Sequence, residues 1–286
     1  ACMRVPRRET GIRQLKIMHV ISSLNRGGAE TMLLGLAREN PAGEEQVVVS
    51  LLSDCDLTAD MRATGATVYE LGISANPVKA AGLLRLALLI RRERPDVIQG
   101  WMYHGDLAAL LGLYLSGLRR ATGLCWGIRC SDMDLGRYSW QLRLVVRLCA
   151  WLSRLPDVVI ANSEAGRSVH AALGYRPARF DVAHNGIDVT RFRPDRAARM
   201  ALRREFGIPD NARVLAQVAR VDPMKNHVGL LAALAQQPDL WLLLIGKDTE
   251  NLPQQDRVVA LGKRGDVERL LPMADGIVSA SLFGEG

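Results

Sequence analysis

Short runs of apolar residues alternate with longer segments of helical periodicity along most of this chain, and this alternation limits its possible folds more than any other feature. Up to residue 185, runs rich in Val and Ile and bounded by Gly, Pro, Asn or Asp occur at 16–22, 46–52, 66–71, 96–100, 123–128, 157–162 and 180–185. Helical segments lie between them at 29–39, 77–94, 105–115, 138–153 and 163–173. Apolar strands joined by helices are typical of a parallel sheet covered on both faces. The pattern therefore predicts a doubly wound α/β domain.

The alternation pauses at 185–198, where "NGIDVTRFRPDRAA" clusters Gly, Asp, Pro and charges without an apolar period. Such a composition is typical of a linker. A second series follows, with strands predicted at 212–220, 240–246, 257–262 and 275–281, a helix at 225–237 and a further apolar segment at 266–274. We expect a basic N-terminal extension at 1–14, a first Rossmann-like domain at 15–190, and a second Rossmann-like domain at 191–286 that is cut short after three or four strands.

Composition excludes several classes of protein. The length of 286 residues suits about two domains, and 48% hydrophobic with 23% charged residues is ordinary for a globular protein. No apolar run reaches the ~18–20 residues of a membrane-spanning helix, and no secretory signal follows the basic start. The cysteines show neither a C-x-x-C pair nor zinc spacing, so we predict reduced thiols in a cytoplasmic protein: Cys2, Cys55, Cys125, Cys130 and Cys149.

The net charge of +7 comes mostly from dispersed arginines. A solvated surface explains most of that charge, and attraction to anionic lipid headgroups or to phosphate-bearing substrates is a sharper hypothesis. Nucleic acid is disfavoured as a partner, because aromatic residues make up only 5% of the chain and are not interleaved with the basic ones.

Ligands of open α/β sheets bind at the carboxyl ends of the strands, so the residues that follow each strand are the candidates for a site. After the first strand comes "NRGGAE", with Gly27 and Gly28 opening a helix. Glycines let a ligand approach the backbone, and a helix N-terminus favours an anion. A tight turn with left-handed glycines is the alternative, and on this stretch alone it is the better interpretation. The G-x-G-x-x-G fingerprint of dinucleotide sites is absent.

Other strand ends of the first domain carry polar residues. His104 follows a strand and starts a helix, which fits a catalytic role and a capping or surface role equally well. Arg129 and Asp132 follow another strand, and Asn162, Ser163 and Glu164 follow the next. For Ser163 and Glu164 we favour simple helix capping.

The second domain offers a more specific pattern. In "ARVDPMKNH", Arg220 and Lys225 lie on either side of a turn that follows a strand and opens a helix, so that two cations can meet one phosphate group. A pair of exposed basic residues is the alternative. "ALGKRGDVERLL" supplies a glycine-flanked strand end at which backbone groups could meet a planar base, and "SASLFGEG" brings Glu285 to the end of the last strand. The Asp-x-Asp matches at 54–56 and 132–134 resemble a metal motif, but matches this short are common by chance, so we predict no metal.

In their order and spacing these motifs resemble those of family 4 glycosyltransferases, over nearly the whole chain from Lys16 onward. The matching segments are "GGAE", "NSEAGR", "HNGID", "ARVDPMKNH", "LIGKD", "LGKRGDVERLLPMAD" and "SLFGEG". The resemblance implies a GT-B fold of two facing Rossmann-like domains, transfer with retention at the anomeric carbon, and a bacterial enzyme of capsule, lipopolysaccharide or exopolysaccharide assembly.

The same resemblance implies roles for individual residues. Arg220 and Lys225 would neutralise the diphosphate of a nucleotide-sugar donor as it leaves, and His104 would lie near the transferred sugar. Glu285 would contact sugar hydroxyls. The remaining matches would bind the donor: Gly27, Gly28, Asn162, Gly246, Lys263 and Arg264. The resemblance implies no cofactor or metal.

The sequence departs from the family pattern at its end. The second acid of the Glu-x7-Glu motif, the remaining strands and the C-terminal helix that crosses back to the first domain would fall beyond Gly286. We therefore expect part of the donor site to be missing, and poor solubility or low stability because apolar surface of the second sheet stays unburied.

The leading hypothesis is transfer of a sugar from a UDP- or GDP-sugar to a saccharide or lipid-linked acceptor, in the cytoplasm and peripherally at the inner face of the membrane. A helix over 137–154, with Trp140, Trp151 and four arginines, could contribute to that contact, although we favour an ordinary helix with core leucines and solvated arginines. Two alternatives stay open: a sugar-nucleotide epimerase of the same fold, and an inactive truncated relative.

Overall fold

A computed structural model describes residues 14–40, 43–73, 79–131, 136 and 139–282. The chain divides into two compact units between Asn185 and Gly186, rather than between 190 and 191 as the sequence predicts. Each unit is built around its own parallel sheet. Asp132, Asp134, Glu285 and Cys2 lie outside the described residues.

The first unit contains a seven-stranded sheet in which every described pair of strands is parallel. The strand order is β3-β2-β1-β4-β5-β6-β7, so the direction of winding reverses between β1 and β4. The strands are β1 (Lys16–Ile21), β2 (Glu45–Ser50), β3 (Thr67–Glu70), β4 (Val97–Trp101), β5 (Gly123–Ile128), β6 (Val158–Ala161) and β7 (Phe180–Val182).

Helices cover both faces of this sheet, because alternate strand residues point to opposite sides. The helices are α1 (Gly28–Arg38), α2 (Thr58–Ala63), α3 (Lys79–Glu93), α4 (Met102–Ser116), α5 (Trp140–Leu152) and α6 (Glu164–Ala172). Met18 and Val20 of β1 share one core with α3, α4 and α5. Ile21 shares the core of the opposite face with α1 and α2.

The second unit contains a parallel sheet in the order β10-β9-β8-β11. Its strands are β8 (Arg213–Val218), β9 (Leu240–Ile245), β10 (Val258–Ala260) and β11 (Gly276–Ile277). Its helices are α7 (Arg196–Glu205), α8 (His227–Leu234) and α9 (Val267–Leu270), with 3₁₀ turns at Pro223–Lys225, Thr249–Asn251 and Leu271–Met273.

A buried arginine ties α7 to the sheet of the second unit. The guanidinium of Arg203, which is 1% exposed, donates to the carbonyls of Met273, Asp210 and Ala212 at 2.9–3.0 Å. It also pairs with Asp275 at 3.0 Å. Buried charge is tolerated when it is paired and hydrogen-bonded, so Arg203 serves as a structural cross-link.

Four cysteines are free thiols within the first unit, and all four are buried: Cys55, Cys125, Cys130 and Cys149. Burial raises the pKa of Cys125 to about 12 and raises the pKa of Cys149 still further. Cys125 and Cys149 are therefore protonated and unreactive in the folded unit.

Four elements differ from the sequence prediction. Helix α7 begins at Arg196, inside the predicted linker at 185–198, and the short helix α2 was not predicted. The strand predicted at 275–281 has two residues, because β11 pairs with β8 alone over that length. The helix predicted at 225–237 is a 3₁₀ turn followed by α8, since Asn226 takes a left-handed conformation between them.

Candidate functional site

Each sheet gathers candidate residues at the edge where its parallel strands end. In the first unit Gly27 and Gly28 follow β1, His104 follows β4, Arg129 follows β5 and Asn162 follows β6. In the second unit the predicted residues follow β8, β9 and β10, in that order: Arg220, Lys225, Gly246, Lys263 and Arg264. The carboxyl edge of such sheets is where ligands bind.

The fold itself does not require the two glycines at the start of α1, Gly27 and Gly28. Gly27 has φ −153° and ψ −177°, an extended conformation open to any residue, and neither glycine has a positive φ. A Cβ at Gly28 would meet nothing within 4 Å, and a Cβ at Gly27 would meet only the flexible carboxylate of Glu30 closely. The left-handed turn considered as the alternative is therefore wrong. Space is therefore left open beside Gly28 at the start of α1.

His104 lies exposed in the first turn of α4, immediately after β4. The residue at the N-cap position of α4 is Trp101, so His104 does not occupy that position. Met102 begins the helix with φ +62°, a conformation that is strained for a non-glycine residue. The strand-to-helix corner that carries His104 is thus a tight one.

Arg129 belongs to a stack of side chains at the same edge. Its guanidinium lies 4.6 Å from the ring centroid of Trp101 and donates to Oδ1 of Asn185 at 2.7 Å. Trp101 in turn donates from Nε1 to Nδ1 of His19 at 3.2 Å. Burial lowers the pKa of Arg129, and the nearby carboxyl of Asp106 opposes that shift. Arg129 therefore has a fixed position, set by aromatic and hydrogen-bond contacts.

The residues after β6 divide into capping residues and one that lacks a partner. Ser163 accepts from the amide of Gly166 at 3.0 Å, which confirms the capping interpretation, and Glu164 pairs with Arg167 at 2.6 Å. Asn162 is 5% exposed, and its Oδ1 has no hydrogen-bond partner in the described part of the chain. Buried polar atoms are normally paired, so this oxygen is an acceptor with capacity to spare.

The turn after β8 is held rigidly by its own residues. Asp222 accepts from the amide of Met224 at 2.9 Å and pairs with Arg220 at 3.0 Å. The buried amide of Gln217 donates to the carbonyl of Lys225 at 2.8 Å. Burial alone would raise the pKa of Asp222, but these bonds and the neighbouring cations lower it overall. The turn therefore presents Arg220 and Lys225 on one hydrogen-bonded backbone, with Asp222 paired to Arg220.

Gly246 is needed at the end of β9 for a backbone reason. It has φ +156°, and a Cβ there would lie 2.0 Å from the carbonyl oxygen of Ala219 and 2.7 Å from the amide nitrogen of Arg220. Thr249, fully buried, donates to the carbonyl of Gly246 at 2.9 Å and accepts from Gly262 at 3.0 Å. Gly246 thus lets two strand ends approach each other and fixes the segment that carries Arg220.

Lys263 and Arg264 are exposed after β10. Arg264 forms two hydrogen bonds with Asp266, at 2.9 and 2.8 Å, as Arg220 does with Asp222 at 3.3 and 3.0 Å. Leu282 donates from its amide to the carbonyl of Met224 at 2.9 Å, which places the end of the described chain beside the Arg220–Lys225 turn.

Sequence reasoning missed the residues that position this site. Asp222, Gln217 and Thr249 hold the two loops together but carry no chemistry of their own. For Asp222 a signal exists, because Asp before Pro is a helix-start pattern. Within the described residues no group of three or more His, Cys, Asp or Glu side chains could hold a metal ion. The expectation of no metal stays a prediction.

Comparison with known proteins identifies the family. The model of Glycosyltransferase Family 4 matches residues 26–191, which is more than half of the chain. The chain belongs to glycosyltransferase family 4. The resemblance drawn from the sequence motifs is therefore confirmed at the level of the family.

Curated relatives match a shorter part of this family 4 protein. The D-inositol 3-phosphate glycosyltransferase of Mycobacterium tuberculosis (strain H37Rv) is 37% identical over 91 residues, which is 31% of this chain and 18% of the relative. The match thus spans less than one fifth of the relative's length.

Solved structures confirm the fold. HepE of Anabaena in complex with UDP-glucose superposes with a TM-score of 0.77 at 21% identity, covering 94% of this chain and 74% of that one. The sucrose-phosphate synthase of Thermosynechococcus elongatus gives 0.71 at 17% identity, covering 96% and 77%. The expected GT-B fold of two Rossmann-like units is confirmed.

Proposed function

We propose that this family 4 protein transfers a sugar from a UDP- or GDP-sugar to a saccharide or lipid-linked acceptor, with retention of configuration. The observation that carries the proposal is the rigid turn that presents Arg220 and Lys225 at the carboxyl end of β8. Family membership and the likeness to a protein solved with UDP-glucose support a nucleotide-sugar donor.

The proposed sugar transfer requires positive charge near the leaving group. As the bond between the anomeric carbon and the donor diphosphate breaks, negative charge grows on the departing oxygen, and Arg220 and Lys225 stabilise it. The N-terminus of α8, next to Lys225, adds the favourable end of a helix dipole. The acceptor oxygen forms the new bond on the same face of the sugar, and its proton passes to a phosphate oxygen of the leaving diphosphate.

The other predicted residues take supporting roles in this proposal. Gly27 and Gly28 leave room for the diphosphate, and His104 lies near the transferred sugar. Asn162 offers an unpaired acceptor to a hydroxyl group. Lys263 and Arg264 border the base, and Glu285 binds sugar hydroxyls. Because two fixed cations already compensate the diphosphate, we expect donor binding to be independent of divalent metal, and chelation with EDTA to leave it unchanged.

Calorimetric titration of UDP and GDP into the purified chain tests the proposal. We expect one of the two to bind, and Lys225→Ala to weaken binding by about 10- to 100-fold, since hydrogen bonds to charged groups contribute roughly 1.5–3 kcal/mol. Arg213→Ala is the matched control, because Arg213 is an exposed cation at the opposite end of the same strand. It should bind as the wild type does.

The products of UDP-glucose or another donor then distinguish the reactions. Release of free UDP together with a sugar, lost in Lys225→Ala, supports transfer to an acceptor or to water. Conversion to an epimeric nucleotide sugar without release of UDP would contradict the proposal in favour of an epimerase. Failure of both nucleotides to bind would contradict it altogether.

The acceptor is proposed to belong to cell-surface polysaccharide assembly. An acceptor carried on a lipid lies at a membrane surface, and the protein would then work in the cytoplasm at the inner face of that membrane. Incorporation of labelled sugar into the lipid-extractable fraction of cell membranes is the expected result.

A further inference from the structure

Helix α5 has two apolar faces, and only one of them is packed. Val146 and Cys149 lie in the core of the first unit. On the opposite side Trp140 is 64% exposed and Trp151 is 76% exposed, with Leu144 exposed between them. A helix that is apolar on both sides is normally covered on both sides. The outer face of α5 therefore has the character of a contact surface.

The neighbouring helices continue this surface. Helix α3 packs against α4, and α4 packs against α5, on the same face of the sheet. Leu88 of α3 is 65% exposed, and Tyr114 and Leu115 of α4 are exposed as well. We call the outward sides of α3, α4 and α5 together the α3–α5 face. Exposed apolar residues on three adjacent helices are more than the scattered ones of an ordinary surface.

The charges of the α3–α5 face have one sign. Among the side chains of α3 and α5 whose exposure is described, the exposed charged ones are arginines: Arg85, Arg91, Arg92, Arg143 and Arg147. Within the bounds of the three helices the acidic residues are Glu93, which is half-buried and bonded to Lys16, and Asp106, which is fully buried. The apolar surface is therefore accompanied by positive charge without exposed acid.

A groove of about 620 Å³ lies at the C-terminal end of α5. Trp151 and Leu155 supply apolar lining, and Arg154 and Arg176 supply guanidinium groups. A phospholipid presents the complementary pair of features. Its phosphate can meet the guanidinium groups, and its first methylene groups can meet the apolar lining. Aromatic rings and arginines with long apolar stems are the side chains that suit such an interface.

We propose that the α3–α5 face docks this protein onto an anionic lipid bilayer. The uniform positive charge favours a bilayer over a second copy of the chain, whose own α3–α5 face would repel it. In the described part of the chain no helix is long and apolar enough to cross a membrane, so α5 lies in the plane of the interface. The docking does not depend on the transfer reaction proposed above, since it needs neither donor nor acceptor.

Co-sedimentation of the full 286-residue chain with vesicles tests this proposal. We expect binding to vesicles of phosphatidylcholine with 30 mol% phosphatidylglycerol, and weak binding to phosphatidylcholine alone. Each arginine near an anionic surface contributes about fivefold in affinity. The double variant Arg147→Ala/Trp151→Ser should therefore lose at least fivefold, and high salt should weaken wild-type binding.

The control changes an arginine and an apolar residue with the same spacing on another helix. Arg196→Ala/Met200→Ser alters two exposed residues of α7 in the second unit and should bind as the wild type does. Circular dichroism confirms that both double variants are folded, and the blue shift of tryptophan fluorescence on vesicle binding should disappear in Trp140→Phe/Trp151→Phe.

Three outcomes would overturn the proposal. One is equal binding of both double variants. Another is equal affinity for neutral and anionic vesicles. The third is a wild-type dimer, seen by sedimentation equilibrium and abolished by Trp151→Ser, because a second copy would then cover the face.

Discussion

At the scale of single residues, glycines that look alike in the sequence have opposite reasons to be present. A Cβ at Gly28 would enter open space, whereas a Cβ at Gly105 would lie 2.5 Å from the carbonyl oxygen of Val20. Gly105 lets α4 lie directly on β1, and Gly28 serves no such packing. Gly105 is therefore a requirement of the fold, whereas the fold does not require Gly28.

This contrast gives the first prediction. Gly28→Ala should leave the free energy of unfolding within about 0.5 kcal/mol, or raise it slightly, because Ala restricts the unfolded chain. The same substitution should weaken binding of UDP or GDP. Gly105→Ala should lower the free energy of unfolding by about 1–3 kcal/mol through overpacking. Urea midpoints and nucleotide titration measure the two effects, and a Gly28→Ala variant that binds normally would count against the role assigned to this corner.

His19 makes the stability of the first unit depend on pH. Burial of its ring between β1 and β4 lowers the pKa to about 4, from 6.5 for a free side chain. Between pH 6.5 and pH 4 the unfolded chain binds a proton at His19 that the folded chain does not bind. The contribution of His19 to the free energy of unfolding is therefore fully present above pH 6.5 and is lost as the pH falls toward 4. By pH 5 the loss amounts to about 2 kcal/mol.

Urea unfolding at pH 7.5 and pH 5 measures this dependence. In His19→Gln, which keeps an acceptor for Trp101, the difference between the two pH values should shrink by about 2 kcal/mol relative to the wild type. His184, which is exposed, provides the control, and His184→Gln should retain the wild-type difference. An unchanged difference in His19→Gln would show that another group is responsible.

At the scale of elements, α7 is tied to the segment before β11 by Arg203 together with Arg199. Replacing Arg203 with Met leaves the carbonyl of Ala212 without its donor, and leaves Met273 and Asp275 with Arg199 as their remaining arginine partner. We expect Arg203→Met to destabilise the second unit by about 1–3 kcal/mol, because a buried carbonyl acceptor loses its donor while Asp275 stays paired with Arg199. Arg204, its exposed neighbour, should tolerate the same change within about 0.5 kcal/mol. Denaturation followed by the fluorescence of Trp241 in β9 reports on this unit, and equal effects of the two variants would refute the cross-link.

The strands were easier to predict than the helices. The run at 123–128 matches β5 at both ends, and most other strands lie within two residues of their predicted bounds, because buried parallel strands are continuous apolar runs. Helix α2 is only six residues long, and α7 is rich in arginine, so neither shows a broad apolar stripe in the sequence. Arg203 of α7 has partners both nearby, at Asp210 and Ala212, and about 70 residues away, at Met273 and Asp275.

The loops of the candidate site could be predicted from the sequence, but the contacts that each side chain makes there could not. Position after a strand was enough to select Arg220 and Asn162, since all parallel strands end at one edge. Two features depend on distances that no spacing rule gives. Arg264 is paired with Asp266, and Gly246 allows a close backbone contact. Arg129 was noted at a strand end, yet its stacking on Trp101 requires the pairing of β4 with β5.

At the scale of the whole molecule, the chain consists of two compact units joined through an exposed segment. Between the end of β7 and the start of α7, residues 183–191 are all exposed and none lies in a helix or strand. Exposed backbone of this kind is where proteases cut. We expect brief treatment with trypsin to cleave after Arg191 and to spare Arg193, which precedes Pro194. Mass spectrometry of the fragments identifies the bond, and Arg191→Gln should remove that cut without changing the others.

The distribution of the thiols has a practical consequence for anyone who follows this protein in time. The four buried cysteines all belong to the first unit, and the sequence from 186 onward contains none. A pulse of alkylating reagent will therefore modify cysteines in those molecules whose first unit has unfolded. It will not detect unfolding of the second unit. Mass spectra of pulsed samples, with Cys2 replaced by Ser, would give the opening rate of one half of the molecule inside the intact chain.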